Sequence, residues 1–181
     1  NSGAVTSFEK YIERMKPDQK NIYYLVAPSR AQAESSPYLE ACKAKGYEVL
    51  YLYAHVDEFV MQHLGNVKGK FIVSVEAENA EVSLNDDDAT TTKDTISEDD
   101  KKELLQWFSN VLKFQLKDVT ASNRLVSSPA LLSGHEPEAM RRYRAMASMA
   151  SDSAVNARLT ALTDKITTTL EVNCKHPLLL S

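Results

Sequence analysis

Two apolar, β-rich runs separated by a helix-sized segment organise the first third of the chain. The first, Ile22-Tyr23-Tyr24-Leu25-Val26, is closed by Ala27-Pro28-Ser29; the second runs from Tyr47 to Tyr53. The second is aromatic, β-branched and too continuously apolar for one face of a wet sheet, which predicts a parallel strand covered on both sides. Between them Ser36-Pro37 reads as a helix start, with Ser36 as N-cap and Pro37 in the first turn, where a missing N–H is no loss. Gly46 falls where a helix end wants a left-handed residue. The stretch from Asn21 to Tyr53 is therefore a βαβ unit. Ahead of it, Thr6-Ser7-Phe8-Glu9 has capping-box form with Thr6 as N-cap, and Phe8, Tyr11, Ile12 and Met15 recur at helical spacing up to Pro17. After it, Val56, Phe59, Val60 and Leu64 line one face of a helix stopped by Gly65, and Phe71 to Val75 forms a third strand.

The pattern lapses between Glu76 and Thr95, where almost no large apolar residue occurs, and this predicts a solvated linker or insertion. Ser97 with Asp100 opens a second capping box, followed by Leu104, Leu105, Phe108, Val111 and Leu112 on one stripe, with Trp107 at its edge and read as core. Short strands are predicted over Asp118 to Asn123, Pro129 to Ser133 and Thr168 to Val172. The expected fold is α/β plus α+β: a small three-stranded α/β subdomain, then an α+β domain with a small sheet and amphipathic helices.

Pro137 to Ala150 is the most unusual helix of the pattern. Met140, Tyr143, Met146 and Met149 share a broad face, and Arg141, Arg142 and Arg144 crowd the other. Methionine is unbranched and polarizable, and is over-used on surfaces that accept varied apolar partners. The plainer reading is an amphipathic helix covered by its own sheet. Asp152 to Thr169 continues in helix-compatible residues, and the chain closes on Leu178, Leu179 and Leu180, which nothing obvious covers.

Charge changes the picture in one place. Glu76 to Asp100 holds ten acidic residues against one lysine, leaving 20 Lys/Arg against 15 Asp/Glu elsewhere, so one segment explains the net −4. Its Asp86-Asp87-Asp88 run lacks the DxDxDG spacing and terminal Glu of a calcium loop. Cys42 and Cys174 stand far apart without a CxxC, which predicts a reducing compartment and no zinc. No stretch approaches the roughly 20 apolar residues of a membrane span, and no basic stripe interleaved with aromatics supports nucleic-acid binding. The opening Asn1-Ser2-Gly3-Ala4 does not read as a signal peptide and looks cut, so any targeting segment is expected outside it.

The pattern carries no catalytic signature. Glycines at 46, 65, 69 and 134 compose neither GxGxxG nor a Walker loop. The four histidines lack HxxxH spacing. Asp57-Glu58 beside His55 reads as helix-start carboxylates favoured by the macrodipole. A small-ligand α/β enzyme would need convergent polar groups near Ala27-Pro28-Ser29 or Tyr53-Ala54-His55.

Several blocks together resemble one family. They are Tyr11-Ile12-Glu13-Arg14-Met15-Lys16 leading into Asn21-Ile22-Tyr23-Tyr24-Leu25, Ser36-Pro37-Tyr38-Leu39-Glu40, Val56-Asp57-Glu58-Phe59, Ser122-Asn123-Arg124-Leu125, Ser128-Pro129-Ala130 and Leu170-Glu171-Val172-Asn173 with His176-Pro177-Leu178. In that order they resemble the ATP-dependent ninety-kilodalton heat-shock chaperones. Ala27-Pro28-Ser29-Arg30, Ser36-Pro37-Tyr38 and Leu105-Gln106-Trp107 are most similar to the family's mitochondrial member.

The resemblance implies that residues 1–75 end a middle domain, 76–96 are an acidic linker or insertion, and 97–181 belong to a C-terminal domain lacking its final dimerisation helices. It implies that ATP and magnesium belong to the full-length parent, whose nucleotide domain and catalytic Arg and Gln lie upstream. The fragment itself is expected to hold no cofactor or metal and to be no enzyme. Pro137 to Ala150 occupies the place of a client-binding helix, with Met140, Tyr143, Met146 and Met149 as contacts. Arg144 and Cys174 depart from the family pattern. The implied partners are unfolded or partly folded client proteins, with no nucleic acid and no membrane. The parent is expected to be a homodimer and the fragment monomeric, in the mitochondrial matrix or, alternatively, the cytoplasm. The structural alternative is a passive scaffold without client contacts of its own.

Overall fold

The computed structural model describes residues 5–77, 80, 96–112, 115–134 and 168–180, with only the backbone of His55 and Leu180. The chain falls into two compact units, Asn1–Leu84 and Asn85–Ser181. Each has its own small sheet, so the expected mixed fold is the one found.

In the first unit, strand β1 (Ile22–Val26) is buried almost throughout, and it lies inside a four-stranded sheet of order β2-β1-β4-β3. It runs parallel to β2 (Val49–Leu52) and β4 (Lys70–Ser74), pairing Tyr23 with Val49 and with Val73. The fourth strand, β3 (Asn66–Val67), was not expected. Its two residues are too few to carry an alternating pattern; Lys68 and Gly69, at φ 50° and 78°, turn the chain back so that Val67 pairs with Lys70. Positive φ at both central residues is what a tight two-residue hairpin requires. β2, expected to be covered on both sides, is an edge strand and half-buried at every position.

The segment joining β1 to β2 is more broken than the predicted single helix. Ser29 Oγ accepts from Gln32 N–H at 3.3 Å and caps a first helix, α2 (Arg30–Glu34). Pro37–Leu39 is a 3₁₀ turn, Ser36 before it makes no side-chain cap bond, and α3 (Glu40–Lys45) closes on Gly46 at φ 67°. Helix α1 (Phe8–Arg14) starts one residue later than the capping pattern predicts. Ser7 Oγ accepts the Lys10 N–H, whereas the Thr6 hydroxyl is engaged with Ser7 O and with the Arg14 guanidinium. Tyr23, Leu25, Leu39, Cys42 and Val75 form the core of this unit, with Tyr47, Val49 and Tyr51 packed against it.

Helix α4 (His55–Leu64) ends on Gly65 as expected but faces the other way. Glu58 and Met61 are its buried residues, while Val56, Val60 and Leu64 are 62%, 56% and 45% exposed. Of the predicted face of Val56, Phe59, Val60 and Leu64, only Phe59 is half-buried, and the other three point outward.

In the second unit, α5 (Glu98–Leu112) begins at Ser97, whose Oγ accepts the Asp100 N–H at 3.1 Å and donates to the Asp100 carboxylate at 2.7 Å. Leu104, Leu105 and Phe108 pack on Val119, Val172 and Cys174. Val111 and Trp107, both assigned to this packed stripe or its edge, are each 57% exposed; Trp107 meets the Phe108 ring edge-on at 5.0 Å. The sheet has the order β5-β7-β6, with β7 (Thr169–Val172) parallel to β5 (Asp118–Ala121) and antiparallel to β6 (Ala130–Ser133). The helix expected over Pro137 to Ala150, the helix-compatible stretch from Asp152 up to residue 167 and the Asp86-Asp87-Asp88 run lie outside the described residues, and Thr169, the end of that stretch, opens β7 instead.

Candidate functional site

The central strand of the second unit buries polar side chains where an apolar run is the norm. Thr169, Glu171 and, just past the strand, Asn173 are all buried. Glu171 accepts from Arg124 through two points, Nε to Oε2 at 2.9 Å and Nη2 to Oε1 at 2.5 Å, and from Ser122 Oγ at 3.3 Å. The paired side chains are only 9% and 12% exposed. A fork of this kind matches the planar guanidinium to the planar carboxylate. Asn173 holds the other end of the same loop: its Nδ2 donates to Ser128 O at 3.1 Å, its backbone N–H to Pro129 O at 2.8 Å, and its Oδ1 accepts from Lys175 N–H.

Three separate sequence blocks thus converge. Ser122-Asn123-Arg124-Leu125 and Ser128-Pro129-Ala130 are both fastened to Leu170-Glu171-Val172-Asn173. The arrangement supplies position, since a neutralised ion pair and an amide clamp offer neither nucleophile nor base. Reading the sequence identified the blocks but not their mutual bonding. The one available signal was the alternation of Thr169 and Glu171 with Leu170 and Val172, polar residues on a strand that the topology buries.

Met140, Tyr143, Met146 and Met149 lie outside the described residues, and the structure brings none of them together. What it does give is the base from which their segment departs. Ser133, the last residue of β6, and Thr169, the first of β7, are Cα partners in the ladder. The chain between them leaves and returns at one end of the sheet.

In the first unit, the positions a ligand reading would use are committed to folding. Ser29 caps α2, and the Asp57 carboxylate accepts the Ala54 N–H at 3.4 Å. Glu58 is not the surface helix-start carboxylate expected. It is buried, accepting from the Tyr24 hydroxyl and from Gln62 Nε2, each at 2.9 Å. Burial, then the Glu58 charge, push the Tyr24 hydroxyl pKa up.

A second buried hydroxyl is fully occupied. Tyr11 Oη donates to Glu48 O at 2.6 Å and accepts from Gln19 Nε2 at 2.8 Å and Tyr23 N–H at 3.1 Å. Burial pushes its pKa to about 12. Among the described residues no group of three His, Cys, Asp or Glu side chains is placed to hold a metal ion, and no helix is long and apolar enough to cross a membrane.

The whole chain, residues 1–181, matches the family model described as Hsp90 protein. The chain belongs to the Hsp90 family. Among its relatives, the mitochondrial TNF receptor-associated protein 1 homolog of Dictyostelium discoideum is 37% identical over 96% of this chain and 23% of its own length. Mitochondrial heat shock protein 75 kDa of Bos taurus is 34% identical over 98% and 25%. Chaperone protein HtpG of Frankia casuarinae is 40% identical over 78% and 22%. The chain thus spans about a quarter of the length of the curated relatives it matches.

Proposed function

We propose that this chain is part of an ATP-dependent chaperone and binds unfolded or partly folded client protein through Met140, Tyr143, Met146 and Met149. The observation that carries the reading is the family match over residues 1–181, with relatives named as chaperones and heat-shock proteins. In this reading residues 1–75 close a middle domain, 76–96 link, and 97–181 belong to a C-terminal domain. The chain couples the two domains and carries no nucleotide site. ATP, magnesium and hydrolysis belong to the rest of a homodimeric parent, placed in the mitochondrion by analogy with relatives whose names carry that location.

The clamp of Arg124 and Asn173 supports this division of labour. A client-binding segment on flexible footing would lose affinity to the ordering of its own base. Here Ser133 and Thr169 are joined by the ladder, and the neighbouring loop is fastened to β7. The test is Met140→Ser with Met146→Ser in the full-length chaperone. Client binding should weaken while the isolated chain keeps its stability; unchanged client binding rejects the assignment.

A further inference from the structure

Exposed sheet edges are templates for another strand, and natural proteins blunt them. Two edges here are blunted. β3 is only two residues long. On β5 the Val119 N–H is taken by the Asp118 carboxylate at 2.8 Å. β2 has neither protection.

Its geometry follows from the ladder. Ala27 N–H donates to Leu52 O at 2.9 Å, so Leu50 and Leu52 turn their backbone groups toward β1. Val49 and Tyr51 must therefore turn theirs outward, since N–H and C=O directions alternate along a strand. Those two N–H and two C=O groups have no hydrogen bond among the described residues. At about 3.3 Å per residue they repeat at about 6.6 Å, the period of an extended chain. They are also held rigidly, because the Val49 and Tyr51 side chains pack against the core of this unit. Tyr53, just beyond, is 51% exposed and extends the apolar surface. Around it Arg14 is paired with Glu48 and Arg30 with Glu34, while the Arg30 guanidinium lies over the Tyr51 ring and Lys45 Nζ over the Tyr47 ring. A helix uses its backbone groups internally and cannot satisfy this edge; an extended segment can.

We propose that the β2 edge is a second binding site for non-native polypeptide, taking an extended, apolar, β-rich segment as an added strand recognised through its backbone. The proposal rests on the chaperone reading above but uses residues other than 137–150. With two residues' worth of pairing, binding is weak and quickly reversed, which suits a site that must release what it holds.

The test uses the isotope-labelled chain and a short peptide of alternating valine and threonine. At peptide about ten times its Kd, amide exchange at Val49 and Tyr51 should slow about tenfold by mass action, with little dependence on salt. A fully N-methylated peptide of the same sequence keeps the side chains, lacks the donors that the Val49 and Tyr51 carbonyls would accept from, carries methyl groups that block close strand approach, and should give no protection. Equal protection by both peptides, or protection that grows with protein concentration alone, overturns the proposal, the latter because copies of the chain would then be pairing. Peptide-induced shifts confined to residues 137–150 overturn it while leaving the chaperone reading standing. Protection at Val49 and Tyr51, together with unchanged client binding by the Met140→Ser, Met146→Ser variant, sustains the edge and removes the helix.

Discussion

Arg124 and Glu171, 47 residues apart in sequence, meet in a buried two-point ion pair with contacts of 2.9 and 2.5 Å. Such a pair is weak evidence of net stabilisation, because desolvating two charges offsets most of their attraction. Breaking it is another matter. Arg124→Met strands a buried carboxylate and should destabilise the second unit by about 3–5 kcal/mol. Arg124→Met with Glu171→Leu should recover much of that loss. Urea unfolding followed through Trp107, the chain's single tryptophan, reads the second unit directly. A double variant as unstable as the single one would show that the fork does more than neutralise charge.

The Tyr11 hydroxyl sits between Tyr23 N–H and Glu48 O, two groups that would otherwise form the first rung of the β1–β2 ladder. Tyr11→Phe leaves the buried Tyr23 N–H and the part-buried Glu48 O facing each other across a gap, together with the Gln19 amide. Each unsatisfied group costs about 1–3 kcal/mol, reduced where water can enter. We expect a loss of about 2 kcal/mol or more in urea unfolding. We also expect faster amide exchange at Tyr23. A neutral outcome would mean that the strands close directly when the hydroxyl is removed.

What the sequence made legible follows from where information is local. The strand Ile22–Val26, the helix end at Gly46, the cap at Ser97 and the strand near Thr169 are each announced by a few adjacent residues. Misreadings came where a local pattern admitted two answers. On α4, Val56, Val60 and Leu64 make as good an apolar stripe as any, yet the buried face is the one bearing Glu58, because Tyr24 on β1 supplies it a hydrogen bond. Trp107, at the edge of the α5 stripe, reads as core from its position, but Phe108 holds the inward place. The Arg124–Glu171 clamp was invisible because the two residues meet only through the β5–β7 pairing.

The buried tyrosines make stability sensitive to alkali. Tyr11 is raised to about 12, and Tyr24 and Tyr47 are raised as well, each chiefly by burial. For an acid whose folded pKa lies above its unfolded value, the neutral form is favoured by folding. Its contribution is whole below the ordinary tyrosine value of about 10 and is lost as pH rises through the folded value. Stability should therefore fall between about pH 10 and pH 12, by about 1.4 kcal/mol per pH unit for Tyr11, with a smaller share from half-exposed Tyr47. Urea midpoints at about pH 9 and pH 11 check this, and Tyr11→Phe should flatten the slope by one proton. An unchanged slope would remove Tyr11 from the account.

The reversed face of α4 gives the plainest test of the fold. If Val56, Val60 and Leu64 point outward, removing apolar surface there should leave the chain's stability nearly untouched. Val60→Ser should change it by no more than about 0.5 kcal/mol, the usual range for surface positions. Met61, one residue on, is 8% exposed, and Met61→Ala should cost about 2–5 kcal/mol through lost burial and the cavity left behind. The contrast is sharp because the two residues are adjacent in one helix and differ chiefly in direction. Both variants, compared by urea unfolding and by exchange of the β1 amides against which α4 packs, report the same boundary from its two sides. If Val60→Ser proved as costly as Met61→Ala, the helix would be turned as the apolar pattern alone suggests, and Glu58 would be drawn out of its bond with Tyr24.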